Sequence, residues 1–304
     1  MEYVLTTAHL CKRYGKYTAL NGLTMHVPQG SIYGLIGKNG AGKTTLIRLI
    51  CGLQNPTEGE YTLYEKKSSS KEITFARRRM GAVVETPSIY LELSARDNLR
   101  EQYRILGVPS DEGIPDLLKL VGLSDTGNKK AKNFSLGMKQ RLGIAIALAG
   151  SPDFLVLDEP VNGLDPQGIV EIRELILKLN RENKITVLIS SHILDELSKL
   201  ATYYGFIENG EMVKEIDAKE LEAAFRKCMR LTVSDIKVLV HVLDNLHYEY
   251  SIVSDKEADI YGDVKITSMT LALAKEGCEV LSLHVHDESL ESYYIGLVGG
   301  KKHE

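Results

Sequence analysis

Residues Gly37-Lys38-Asn39-Gly40-Ala41-Gly42-Lys43-Thr44 constrain this chain more than any other stretch. A short apolar run, Ser31 to Ile36, precedes them. A helical pattern from Thr44 to Cys51 follows, with Gly52 as its stop and Pro56 beyond. A strand, a glycine-rich turn and a helix in that order satisfy G-x-x-x-x-G-K-[ST]. The glycines let the backbone turn tightly so that successive N–H groups point inward at an anion, and the helix start adds the positive end of its dipole. The pattern predicts a phosphate cradle in which Lys43 reaches the β- and γ-phosphates of a nucleotide, Thr44 ligates Mg²⁺ and Thr45 meets the α-phosphate.

A second site follows from Phe154-Leu155-Val156-Leu157, a fully apolar strand ending in Asp158 and Glu159. In a parallel sheet, such acids sit at the carboxyl edge, where the cradle also opens. Asp158 is expected to hold Mg²⁺ through water, and Glu159 to polarise the attacking water as general base. These features describe a P-loop protein that hydrolyses ATP or GTP.

The remaining punctuation fits strands alternating with helices and a sheet covered on both faces. Met80 to Val84 and Ile185 to Ile189 read as further buried strands, and Leu91 to Leu120 as mostly helical. Ser135 can cap a helix running to Ala149. Asp165-Pro166 opens a helix with Ile169, Ile172, Ile176 and Leu179 on one face. Asn21-Gly22 reads as a turn between short N-terminal strands, and Tyr203 to Ile216 as a hairpin around Asn209-Gly210. The basic stretch at residues 66–79 reads as a solvated loop and helix face. After residue 217 the character changes. Strands at 231–233, 248–253 and 280–285 with helices at 236–246 and 267–275 predict a small, separate α+β unit, closed by an amphipathic stretch from Leu290 to Leu297.

Composition narrows the function classes. Apolar residues make up 43% of the 304 and charged residues 26%, which excludes a disordered chain. A net charge of −4 gives no global pull towards nucleic acid, so no nucleic-acid partner is expected. The longest apolar run, Leu142 to Ala149, is far short of the roughly 20 residues that span a bilayer, and no export signal is visible at Met1-Glu2-Tyr3. Cys11, Cys51, Cys228 and Cys278 form no Cys-x-x-Cys pair, consistent with a reducing cytoplasm and against a zinc site.

Phe134-Ser135-Leu136-Gly137-Met138-Lys139-Gln140-Arg141, shortly before Asp158, resembles the signature of ATP-binding-cassette (ABC) ATPases, Leu-Ser-Gly-Gly-Gln followed by Gln-Arg. Ser135, Gly137, Gln140 and Arg141 match, while Phe134, Leu136 and Met138 depart. Asn162-Gly163-Leu164-Asp165-Pro166 resembles the family's D-loop, Ser190-Ser191-His192 its switch histidine, and Tyr14 in Lys12-Arg13-Tyr14-Gly15 its adenine-stacking aromatic. The resemblance covers about residues 1–216. It implies an α/β P-loop NTPase of the ABC type: a mixed sheet with an N-terminal antiparallel β subdomain and a helical subdomain at about 86–150, followed by a C-terminal α+β domain at 217–304.

It also implies a mechanism. ATP and Mg²⁺ are the cofactors, and Ser135 and Gly137 meet the γ-phosphate held by a second subunit, with Asp165 near that partner. His192 contacts the γ-phosphate and attacking water. A homodimer would then sandwich two ATP molecules and drive a separate integral membrane permease, docked around 86–104, from the inner face of the membrane. Where the family usually has Gln after the strand 80–84, this chain has Glu85, expected as a catalytic and metal-facing carboxylate. Glu85, the Ser-Leu-Gly-Met-Lys-Gln-Arg-Leu run and the length resemble the bacitracin- and lantibiotic-type branch. Ser289 to Tyr294 is similar to the acidic-aromatic ends of ABC ATPases with separate permeases. A non-transport role in DNA repair or translation fits poorly, because there is no heptad-rich insertion between Lys43 and Asp158 and only one set of motifs. The unit after 217 is expected to stabilise the dimer; metal binding by His284 and His286, which share a strand face, is the lesser alternative.

Overall fold

The computed structural model describes residues 2–225, 227–287 and 289–299, and the chain divides after Ala218 into two compact units. In the first unit, β1 (Tyr3–Tyr14) and β2 (Tyr17–Pro28) lead into β3 (Ile32–Ile36), α1 (Lys43–Ile50), β4 (Glu58–Leu63), β5 (Lys66–Lys67), α2 (Ile73–Arg77) and β6 (Met80–Val83). The helices α3 (Ala95–Leu106), α4 (Ile114–Leu120) and α5 (Leu136–Leu148) come next, then β7 (Phe154–Asp158), α6 (Pro166–Arg181), β8 (Thr186–Ser191), α7 (Leu194–Ser198), β9 (Tyr203–Glu208) and β10 (Glu211–Asp217).

These strands form two sheets. The order β2-β1-β4-β5 is antiparallel throughout, and the order β10-β9-β3-β8-β7-β6 is parallel except for the edge pair β9–β10. Every residue of β3, β7 and β8 is buried, as expected for strands covered on both faces. Leu5, Leu10, Leu20, Leu23 and Met25 of the antiparallel sheet join Leu46, Ile47, Leu49 and Ile50 of α1 in one core. Because β7 and β3 flank β8, the chain segments leaving all three emerge side by side at one sheet edge.

Local chemistry sets the helix ends. Ser94 caps α3 by accepting from the Asp97 N–H at 3.1 Å, and Gly107 at φ 73° ends it, so the helical stretch 91–120 is two helices rather than one. Ser135 caps α5 and Asp165 caps α6 through the N–H groups three residues on. Asn209 and Gly210 both take positive φ, as a two-residue hairpin turn of this type requires. Asn21-Gly22 is not a turn. Gly22 sits at φ 66° inside the 12-residue β2, where the pairing with β1 shifts register, so it makes a bulge; the turn is Gly15-Lys16. Within the basic stretch, Arg77 donates to the Tyr61 hydroxyl and Arg79 pairs with Asp153, so both cations are engaged inside the unit.

Through α8 (Ala218–Ala224) the chain enters the second unit: β11 (Lys227–Val233), α9 (Ile236–Asn245), β12 (Glu249–Ser254), β13 (Glu257–Tyr261), α10 (Ile266–Lys275), β14 (Val280–Asp287) and α11 (Leu290–Gly299). The sheet is antiparallel in the order β12-β13-β11-β14. Leu231 and Ile260 on one face meet Leu239, Leu243, Met269 and Leu273 of α9 and α10 in a separate core. On the other face Arg230 makes two 2.8 Å bonds to the fully buried Asp259, which also accepts from Ser292 of α11 at 3.1 Å. His284 is exposed on β14, while the His286 side chain lies outside the described residues. Among the described residues no cluster of three or more His, Cys, Asp or Glu is arranged to hold a metal.

Candidate nucleotide site

The loop from Gly37 to Thr44 joins the end of β3 to the start of α1. Gly40 and Gly42 take φ values of 83° and 109°, which L side chains rarely adopt, and a Cβ on Gly42 would stand 2.7 Å from the Ala19 carbonyl oxygen. The loop encloses a cavity of about 340 Å³ walled by Lys38, Asn39, Gly40, Gly42, Lys43, Thr44 and Thr45, with Glu159, Asn162, His192 and Tyr17. Gly37 and Ala41 are buried beneath it. Lys43 is only 6% exposed; its ammonium donates to the Gly37 carbonyl at 2.6 Å and lies 3.4 Å from Glu159. Such a desolvated cation, ringed by oxygen acceptors, suits an incoming phosphate.

The carboxyl ends of β7 and β8 supply the acids and the imidazole. Asp158 is 1% exposed: Oδ1 accepts from the Ser190 hydroxyl at 2.6 Å, while Oδ2 is buried without a hydrogen-bond partner among the described residues. An orphaned buried carboxylate oxygen carries a desolvation cost that a cation or its water relieves. Together with the Thr44 hydroxyl type at the start of α1, this donor set fits Mg²⁺, which is held mainly by phosphates and water plus one or two protein oxygens. Glu159 sits at φ 51°; its N–H donates to the Ser190 hydroxyl at 3.0 Å, and its carboxylate reaches His192 Nδ1 at 2.8 Å. Behind His192, the Arg173–Glu196 pair at 2.7 Å ties α6 to α7. Burial would raise the Glu196 carboxyl, but bonds from Lys199 and Arg173 outweigh it and hold the group below its ordinary range.

The residues expected to face a second subunit lie apart from this cavity. Ser135, Gly137 and Asp165 wall a second cavity of about 440 Å³ with Arg141, Gln167 and Glu171, and none of them lines the first. Glycine at 137 is not required by the chain itself: an added Cβ would meet nothing closer than Leu164 at 3.9 Å. Glu85, expected beside the triphosphate with Asp158 and Glu159, instead accepts from Arg48 at 2.5 Å and lines a neighbouring cavity. The reason is helical spacing: Arg48 lies one turn beyond Thr44 on α1 and presents a cation to that carboxylate. Tyr14 does not line the first cavity either; its hydroxyl donates to Gln54.

Comparison with known proteins places this geometry. The ABC transporter family profile matches residues 20–162. The bacitracin transport ATP-binding protein BcrA of Bacillus licheniformis is 40% identical over 309 residues, covering 99% of each chain. The chain belongs to the ABC transporter family. Within it, the lantibiotic transport ATP-binding protein SrtF of Streptococcus pyogenes is 45% identical over 225 residues, 73% of this chain and 96% of that one. A dimeric structure of the ATP-binding cassette MJ0796 in a post-hydrolysis state, bound to ADP and Pi, superposes with a TM-score of 0.63 at 26% identity, covering 70% of this chain and 98% of that one. The nucleotide of this ABC ATPase is therefore ATP, and the mixed-sheet α/β fold is that of ABC cassettes.

Two residues escape motif reading: Tyr17, which lines the nucleotide cavity, and Arg48, which pairs with Glu85 beside it. Each had a signal. Tyr17 directly follows the Gly15-Lys16 turn, which makes it the cross-strand partner of Tyr14. Arg48 is four residues from Thr44 on one helix face.

Proposed function

We propose that this ABC ATPase hydrolyses ATP as a head-to-tail pair of identical chains and drives a separate membrane permease that exports or expels peptide antibiotics of the bacitracin and lantibiotic type. One observation carries the pairing: the phosphate cavity and the Ser135–Gly137 cavity are separate within one chain. A helix N-terminus capped by Ser135, followed by a glycine that the chain's own packing does not demand, is an anion-binding edge offered outward. Each ATP then lies between Lys43 and His192 of one chain and Ser135 and Gly137 of the other, with Asp165 at the junction.

When bound, Mg²⁺ neutralises developing charge on the phosphates, held by Thr44 and Asp158. Glu159 moves from Lys43 to the attacking water and takes its proton, while the His192 ring orients Glu159 through the bond already formed. Loss of the γ-phosphate removes the bridging charge, and the pair opens. No helix among the described residues is long and apolar enough to cross a membrane, which supports a separate permease as recipient of that motion. BcrA and SrtF, by their names, serve bacitracin and lantibiotic transport, and this supports the cargo class.

Glu159→Gln tests the cycle. It is expected to bind ATP, hydrolyse it slowly and run as a dimer in size exclusion with ATP and Mg²⁺; a persistent monomer contradicts the reading. Cells relying on the chain and its permease should become sensitive to bacitracin or a lantibiotic when Glu159→Gln replaces the wild type. Unchanged resistance contradicts the cargo assignment.

A further inference from the structure

We propose that the basic stretch at residues 66–79 carries a patch, built on Lys71, Phe75 and Arg78, that meets the anionic head groups of a lipid surface, an inference that rests on the reading of the chain as the ATPase of a membrane permease. Six cations lie in this stretch against one acid, Glu72, in a chain whose net charge is −4. Four of the six are engaged inside the first unit. Lys66 pairs with Glu72 at 2.7 Å and Lys67 with Glu60 at 2.9 Å, while Arg79 pairs with Asp153 and Arg77 donates to the Tyr61 hydroxyl. Lys71 and Arg78 remain. Both are exposed, and among the described residues neither side chain meets a carboxylate. The Arg78 guanidinium lies instead 5.3 Å from the centroid of the Phe75 ring.

Phe75 comes four positions after Lys71 and three before Arg78. It is 66% exposed, although α2 already buries an apolar face through Ile73 and Ala76, so the fold has no use for this ring. Arg78 also lines a cavity of about 660 Å³ with Ile105 and Leu106 at the end of α3, which are 69% and 47% exposed. This surface therefore presents three large apolar side chains beside two cations that lack acidic partners among the described residues. Aromatic rings settle at the depth of lipid head groups, and Lys and Arg stems run along apolar surface to reach phosphate there. An anionic leaflet supplies the counter-charge that the chain does not. The two cations flank the ring and are fixed by no hydrogen bond among the described residues, which suits the fluid phosphates of a leaflet better than a fitted protein pocket.

Co-sedimentation of the full chain with vesicles tests this, using phosphatidylcholine alone and phosphatidylcholine with phosphatidylglycerol in equal parts. Wild type is expected to bind the mixed vesicles only, and less well as salt is added. Lys71→Gln combined with Arg78→Gln should weaken binding about thirtyfold, the scale of two cations near an anionic surface. Phe75→Ser should weaken it about tenfold, the scale of one apolar side chain leaving water. Lys237→Gln combined with Lys256→Gln makes the same charge change on exposed residues of the second unit and should leave binding unchanged. Equal ATP affinity in vesicle-free buffer shows that each variant is folded. The proposal is overturned if wild type binds neither vesicle or both equally, if either patch variant binds as wild type does, or if the Lys237 and Lys256 variant loses as much. A patch variant that binds vesicles normally, yet lowers ATPase activity only with the permease present, assigns the surface to a protein contact and overturns the lipid reading. Wild type that binds the mixed vesicles but not ATP supports the patch and contradicts the nucleotide reading.

Discussion

At the scale of single residues, chemistry and fold make different demands, and Gly137 separates them. Glycine within a helix costs about 0.5–1 kcal/mol relative to alanine, and here nothing in the chain crowds the position. Gly137→Ala should therefore raise stability in urea unfolding by roughly 0.5 kcal/mol. The same methyl stands where the partner's γ-phosphate must approach the helix start, so ATPase activity should fall roughly a hundredfold, as displacements of about 1 Å can cause. A variant that is neither more stable nor less active contradicts the role given to this edge. The cradle residues were legible in the sequence because a phosphate loop requires glycine, lysine and threonine at fixed spacing. Glu85 was not, because its partner Arg48 is met only once α1 sets the helical phase. Ionic partners thirty-seven positions apart leave no spacing rule to read.

At the scale of elements, Glu196 ties α7 to α6 through Arg173, and Lys199 and Arg173 keep its carboxyl below its ordinary value of 4.5 against the cost of burial. A depressed folded-state pKa contributes stability that is fully present above the unfolded value and is lost as pH falls through the folded one. The stability advantage of wild type over Glu196→Gln should thus be full at pH 7 and shrink progressively below about pH 4.5. An advantage that is flat down to pH 3 contradicts the pairing. Elements whose ends carry their own signal were readable: the Ser135 and Asp165 caps, and the Asn209-Gly210 hairpin. Two were not. Asn21-Gly22 obeys the turn rule yet serves as a bulge, because strand pairing continues on both sides of it. Strand β13 was missed because its centre is Asp259, whose burial is made tolerable by Arg230, a residue on another strand.

At the scale of the whole molecule, each unit has its own hydrophobic core and its own means of closure. The second unit depends on the Arg230–Asp259 pair with its Ser292 bond to α11. Removing one partner of such a pair leaves a charge without compensation, so Asp259→Ala should destabilise this unit by about 3 kcal/mol while ATP affinity, set in the first unit, is unchanged. Calorimetry together with ATP titration would show this; a loss of ATP affinity equal to the loss of stability would contradict the independence of the two cores.

In the proposed head-to-tail pair, one chain carries two halves of different reaction sites. Mixing two inactive variants tests it: Lys43→Ala, which loses the cradle but keeps the signature edge, and Gly137→Asp, which does the reverse. Head-to-tail pairing of one with the other rebuilds one intact site per mixed dimer. ATPase activity should therefore be near zero for each variant alone and return on mixing. If Gly137→Asp alone hydrolyses ATP at the wild-type rate, or if mixing restores nothing, the shared-site account is contradicted.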